Sequence, residues 1–281
     1  IFSGEVPVVN GEIEVTFMVP KDINYKEGNG RLTYFIINED NTENGHGYCQ
    51  DFIIGGTDPN ADVSSDGPVS KAYINTPNFV NGQVVDNTPI FYAHLWDEYG
   101  INTIGTGIGH DIIVKLNNDP NKTYIINDCY TASLGDYKSG TVKFNLPQLS
   151  DGEYSLLFRA WSLQNISTTN ELNFVVKSDA PAVIEDFTVY PTPATEYVNF
   201  YVKYDRPEDI IDIEFSVIDL AGKTLWHSTQ AHVSEDGVFS AKWDFLSPRP
   251  TGNGIYIAKA VITTSEGVIT HKSKKIIINA Q

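Results

Sequence analysis

The stretch "YVNFYVKY" puts Val198, Phe200, Val202 and Tyr204 at every second position, with Asn199, Tyr201 and Lys203 between them. Successive side chains of a β-strand point to opposite faces, so this alternation prescribes a strand with one face buried and the other wet. The pattern recurs along the chain. In "EIEVTFMV", Ile13, Val15, Phe17 and Val19 fall on one face and Glu12, Glu14 and Thr16 on the other, which predicts a half-buried strand over residues 12 to 19. Further strands are predicted at "RLTYFII", "YCQDFII", "VSKAYI", "PIFYAHLW" and "DIIVKL", then at "TYIIN", "GTVKFNL", "EYSLLFRAW" and "ELNFVV". Helical spacing is hard to find. Composition agrees, since 14 Phe, 15 Tyr and 4 Trp sit among Val, Ile and Thr, while Gly, Asn, Asp and Pro punctuate at short intervals.

A chain of 281 residues carries about two domains. The alternation breaks at "VVKSDAPAVIEDF", where the polar run from Lys177 to Ala182 contains Pro181 and suits an extended linker. The expected division is 1–180 and 181–281. About ten strands precede the break and about seven follow it in about 100 residues, the size of a β-sandwich. In "IDIEFSVIDLAGKTLWHS" two strands flank a tight turn, and Gly222 supplies the positive φ that a short hairpin needs. The expected fold is all-β, with two Ig-like β-sandwich domains in tandem. The opening "IFSGEVPVVNGEIEV" lacks an initiator Met and a signal-peptide pattern, so a fragment of a larger protein is expected. No apolar run approaches the roughly 18 residues of a membrane-spanning helix.

Thirty-six Asp plus Glu against 19 Lys plus Arg give a net charge of -17, which repels phosphate backbones and argues against nucleic acid as a partner. The two cysteines, Cys49 and Cys129, allow one bridge without deciding it, and cannot supply a cysteine-based zinc site. The six histidines form no H-x-x-x-H pair. The run "GINTIGTGIGHDI" has glycines but no cation, and joins two strand-like segments, so it is no phosphate loop. No G-x-S-x-G elbow places a nucleophile near His110. The plain reading is a glycine-rich strand connection whose His110 and Asp111 bond local backbone. "DPNADVSSDG" spaces Asp58, Asn60, Asp62 and Asp66 as a calcium loop would, but Val63 and Val69 stand where an EF-hand needs glycine and glutamate. No cofactor is expected, and calcium at this loop is the one candidate. Trp96, Trp161, Trp226 and Trp243 are read as core, with a sugar-stacking platform as the other possibility.

Resemblance adds to this. The segments "FMVPKDINYKEGNGRLTYF", "DFIIGG", "DGPVSKAYINTPNFVNG", "WDEYGINTIGTGIGHDIIVKLN" and "YIINDCYTASLGDYKSGTVKFNLPQLSDGEYSLLFRAWSLQN" occur in the order found after the peptidase domain of the type IX secretion system sortases. These are gingipain-like cysteine endopeptidases. The most specific part is "DEYGINTIGTGIGHDI", carried by Asp97, Gly100, Asn102, Gly107, Gly109, His110 and Asp111. The remainder resembles the C-terminal domains that mark proteins for type IX export. There Pro191, Pro193, Asp219, Gly222 and the terminal Lys272, Lys274 and Lys275 fit, while Thr192 stands where asparagine is commonest. The prolines set an extended path ahead of that domain's first strand, and the lysines make its last strand a basic edge for an acidic partner.

The resemblance implies a non-catalytic C-terminal fragment, since no segment matches the Cys/His peptidase domain and neither Cys49 nor Cys129 has a catalytic context. Its implied partners are the missing peptidase domain and the outer-membrane carrier protein of the system, at the cell surface. The alternative is a surface adhesin or glycan-binding sandwich. A self-contained enzyme ranks third, because no acid/base or nucleophile constellation is visible.

Overall fold

The computed structural model describes residues 3–21, 23, 26–62, 65–104, 109–250 and 252–279. The chain is all-β, built around two Ig-like sandwiches in tandem. The first described segment contributes only small two-stranded sheets. β1 (Val8–Val9) pairs with β2 (Glu12–Ile13), β3 (Gly28–Asn29) with β6 (Ile53–Ile54), and β4 (Leu32–Ile37) with β5 (Asn44–Cys49).

The predicted strand over 12 to 19 is therefore corrected, because only Glu12–Ile13 is strand. A strand persists where a neighbour completes its ladder, and among the described residues Val8–Val9 is the neighbour that pairs here. On either side of this hairpin the chain runs along the first sandwich. Gly135 N donates to Glu5 O at 2.8 Å, Lys21 N donates to Leu163 O at 3.1 Å, and Phe17 and Met18 line a small hollow with Ile101 and Leu163.

The first sandwich has one sheet in the order β11 (Thr123–Ile125), β10 (Ile113–Leu116), β14 (Gly152–Trp161), β15 (Ser167–Val176), β8 (Gln83–Val85). The other runs β12 (Tyr130–Ala132), β13 (Ser139–Asn145), β9 (Ile90–Trp96), β7 (Val69–Ile74). Pairings are antiparallel except β15 with β8. Alternation works as its physics requires. In β9, Phe91, Ala93 and Leu95 point inward and meet Leu156, Phe158 and Ala160 of β14 in one core, with the Phe91 and Phe158 rings 5.0 Å apart.

The second sandwich packs β16 (Ile184–Tyr190), β17 (Val198–Tyr204) and β20 (Val238–Trp243) against β19 (Thr224–His232), β18 (Ile211–Ile218), β21 (Gly254–Thr263) and β22 (Ile269–Ile278). Its core draws only on residues from Ala182 to Ile278, and the first core only on residues from Ile74 to Val176. Aromatic rings run through the second core, where Phe200 lies 5.4 Å from Phe215 and 4.9 Å from Trp226, and Trp226 lies 5.8 Å from Trp243. Trp243 is buried, as a core reading requires, whereas Trp96 is half exposed on the outer face of β9.

The linker is more tightly held than a polar tether. Lys177 N donates to Val85 O at 3.0 Å, Ser178 N donates to Asp151 Oδ1 at 2.9 Å, and Ala180 and Ala182 are buried. No helix among the described residues is long and apolar enough to cross a membrane.

Candidate functional site

The run from Asp97 to Asp111 leaves β9 at the end of one sheet and reaches β10 in the other. Its residues solve the geometry of that corner. Asp97 is buried, and its Oδ1 accepts from Tyr99 N at 2.8 Å while its carbonyl accepts from Gly100 N at 3.2 Å. Burial pushes the Asp97 carboxyl up, and those two backbone N–H groups partly offset the cost.

Gly100 has φ of 104°, and a Cβ there would stand 2.7 Å from Tyr137 Cδ2 and 3.0 Å from Leu163 Cδ1. Glycine is required on both counts. Ile101 then bridges to Ser162, and Asn102, buried, donates its N–H to Trp161 O at 2.8 Å. The Asn102 Oδ1 accepts from Ile104 N at 3.2 Å. Gly107 lies outside the described residues. Gly109 has φ of 83°, and among the described residues nothing lies within 4 Å of where a Cβ would go.

His110 packs its ring 4.3 Å from Trp161, whose other neighbour is the Arg159 guanidinium at 5.5 Å. Asp111 Oδ1 accepts from Asn127 Nδ2 at 2.8 Å, and Asn127 Oδ1 accepts from Ile112 N at 2.7 Å. This ties the exit of the corner to the short 3-10 turn Asn127–Cys129. Cys129 is a free thiol, as is exposed Cys49. Burial, and then Asp128, push the Cys129 thiol up, the reverse of what activates a thiolate nucleophile. The corner can position backbone and present an aromatic ring pair.

In the second sandwich the structure gathers four of the export-type residues at one end. Pro191 and Pro193 lie between β16 and β17, so they follow that unit's first strand, where the sequence reading put them ahead of it. Their loop is stitched to the last strand: Ala194 N donates to Ile277 O at 2.8 Å, Ile277 N donates to Thr192 Oγ1 at 3.1 Å, and Asn279 N donates to Ala194 O at 2.7 Å. Asp219 caps the β18–β19 hairpin by accepting from Ala221 N and Lys223 N, both at 2.9 Å, and Gly222 turns it at φ of 86°. Register puts this hairpin at the same end, because Ile218 faces Ile257 and Ile257 faces Lys275, three residues before Ile278 bridges to Ala194.

The lysines act differently from one another. Lys272 Nζ donates to Ile184 O at 3.4 Å and Glu185 O at 3.2 Å, and Lys274 Nζ donates to Phe187 O at 3.2 Å. Two of the three thus span from the β22 edge to the β16 edge and cover the gap between the sheets. Lys275 is exposed on β22.

In the loop read as a calcium candidate, two residues make local or long-range hydrogen bonds. Asp58 Oδ1 accepts from Asn60 N at 2.9 Å, and Asp62 uses its backbone carbonyl to accept from Gln164 Nε2 at 2.9 Å. Among the described residues no three His, Cys, Asp or Glu side chains are grouped to hold a metal ion.

Sequence reasoning missed a polar cluster where the two sandwiches meet, formed by Asp86, Asp205, Arg206, Glu208 and Asp209. Its one visible signal was the mixed-charge run "DRPED" directly after the apolar strand "YVNFYVKY".

These features define a class, a tandem of Ig-like sandwiches with a glycine-dependent corner in the first and a stitched terminal strand in the second. No protein-family model matches the sequence, and no curated protein matches it. Among solved structures the chain is similar to dimeric latent PorU from Porphyromonas gingivalis, with 28% identity over 96% of this chain and 25% of that chain and a TM-score of 0.45. It is also similar to a tetra-tandem repeat from the extending region of a large adhesion protein, with 14% identity over 89% of this chain and 57% of that one and a TM-score of 0.29. A third is the FN1–FN3 region of chicken CNTN1, with 13% identity over 89% of this chain and 77% of that one and a TM-score of 0.28. The chain spans a quarter of the length of the PorU chain.

Proposed function

We propose that this chain is the non-catalytic C-terminal part of a cell-surface, sortase-like cysteine endopeptidase of a type IX secretion system. In this reading the first sandwich braces a gingipain-like peptidase domain, and the second docks to the outer-membrane machinery through its carrier protein. The observation that carries it is the corner from Asp97 to Asp111. Of the residues that give the sortase resemblance, Asp97, Gly100 and Asn102 are there spent on backbone geometry, with Gly100 at a positive φ and Asp97 and Asn102 buried. A run so constrained belongs to a scaffold that holds something else in place.

The terminal unit supports the docking half of the reading. Its proline loop and last strand are joined into one edge, and Lys275 stays exposed on that strand. The test is to sequence the coding DNA upstream of the Ile1 codon. An α/β peptidase domain with a Cys and His in gingipain-like context supports the reading. Further β repeats there would sink it and leave a surface adhesin in its place.

A further inference from the structure

A polar cleft of about 250 Å³ separates the two sandwiches, lined by Asp86 and Gln148 on one side, Ser178 of the linker, and Arg206, Asp209 and Glu266 on the other. Arg206 is 2% exposed and holds three parts of the chain at once. Its Nη1 donates to Asp86 Oδ1 at 2.7 Å, and its Nη2 donates to Ala180 O at 2.8 Å and Pro181 O at 3.2 Å. One residue earlier, Asp205 Oδ1 accepts from Val183 N at 2.6 Å and fixes the exit of the linker. Two residues later, Glu208 sits at φ of 67°, a left-handed backbone that glutamate adopts only when its surroundings enforce it. Its side chain pairs with Lys143 and accepts from Asn145 Nδ2 at 3.0 Å, both on β13.

The charges at this joint do not balance. Asp86, Asp205, Asp209 and Glu266 all lie around Arg206, and Glu185 lies near Asp205. Further cations face them at the rim, Lys143 against Glu208, Lys203 against Glu185, and Lys272 on the Glu185 carbonyl. We infer that the loop from Asp205 to Asp209 is an acid-strengthened clasp, which holds the two sandwiches in one orientation at mildly acidic pH and lets them part at neutral pH. Closure crowds like charges, and a proton taken up there relieves the crowding.

Asp209 titrates in the relevant window. Burial first, then Asp86, with Glu266 and Asp205, push its carboxyl up to about 6, and Arg206 opposes them. An acid raised by closure binds its proton more tightly when closed, so closure gains as pH falls through about 6 and loses as pH rises through it. Asp205 is raised in the same direction, chiefly by burial. Glu208 runs the other way, because its hydrogen bond with Lys143 lowers it, so that contact is lost only below the ordinary carboxylate range. The clasp is firmest between these limits.

The test is a double electron–electron resonance measurement on the full chain, with spin labels at Glu171→Cys and Ser273→Cys in a Cys49→Ser, Cys129→Ser background. The expected result is one narrow distance at pH 5 and a broadened distribution at pH 7.5, with a midpoint near the value of about 6 that Asp209 carries. Asp209→Asn, which keeps the shape and removes the charge, should give the narrow distance at both pH values. Superimposable wild-type distributions, or a pH response that survives Asp209→Asn, overturn the inference. Should Asp209→Asn fail to fold, Glu266→Gln decides: with one like charge fewer beside Asp209, the distance distribution at pH 7.5 must narrow toward the one at pH 5, and an unchanged breadth overturns the clasp.

Discussion

Gly100→Ala tests whether the corner is a packing device. Two costs apply. An alanine held at φ of 104° leaves the regions open to L-residues, which costs about 1–3 kcal/mol. Its Cβ would also stand 2.7 Å from Tyr137 Cδ2, 3.0 Å from Leu163 Cδ1 and 3.1 Å from Tyr137 O. One of those atoms is backbone, so rotamer changes alone do not clear the clash, and overpacking adds about 1–3 kcal/mol. The sum, about 2–6 kcal/mol, is a large share of the roughly 5–15 kcal/mol that a domain holds.

Gly109→Ala is the internal control. It shares a positive φ, at 83°, but among the described residues its Cβ would meet nothing within 4 Å, so a backbone cost of about 1–2 kcal/mol is expected. Differential scanning calorimetry of the whole chain should show Gly100→Ala lowering the transition of the first sandwich by several times more than Gly109→Ala. The two costs differ by about 1–4 kcal/mol, so at roughly 2–4 °C per kcal/mol the gap is about 2–16 °C. The second sandwich, with its own core, should melt as in the wild type. Equal effects of the two substitutions would refute the packing argument.

Other outcomes follow from the same structure. With a thiol-reactive reagent at pH 8, exposed Cys49 should be modified at least about tenfold faster than Cys129, whose thiol is half-buried and pushed up; equal rates would contradict the burial described for Cys129. Arg206→Met should destabilise the chain by about 3–5 kcal/mol at pH 5, where the clasp is closed and the substitution strands buried carboxylates, and urea titrations should show a smaller loss at pH 7.5, where the sandwiches part and those carboxylates meet water. A loss that does not depend on pH would assign Arg206 a purely steric role. Replacing both Lys272 and Lys274 by Ala should cost less than about 1 kcal/mol each but uncover the β22 edge. Size-exclusion chromatography should then show concentration-dependent association, and a strictly monomeric double variant would show that the lysines do not guard that edge.

Legibility in the sequence followed the range of the forces involved. Alternation is local, and it located β9 and β17 because each buries every second side chain. It failed at "IEDFTVY", where no strand is predicted, because a register shift between Ile184 and Asp186 puts Ile184, Phe187 and Val189 inward and breaks the period. It failed in the opposite sense at Val15 to Val19, where the alternation is present but no ladder forms. β8, three residues long and paired in parallel with β15, carries too little pattern to see.

For the candidate site, the corner could be found through its glycines, whose need for positive φ is a backbone property. The joint at Arg206 could not. What buries that guanidinium is the placement of the first sandwich and the linker around it, through contacts with residues 120, 26 and 25 positions away.

The central claim, a scaffold that docks a surface sortase to its secretion machinery, is tested most directly by biolayer interferometry between the purified chain and the outer-membrane carrier protein. The account predicts saturable binding that weakens when Lys275→Glu reverses the exposed charge on the last strand. It predicts little change with Lys272→Ala, since that ammonium is turned to the carbonyls of Ile184 and Glu185. A folded chain that never associates with the carrier at any concentration tried would contradict it.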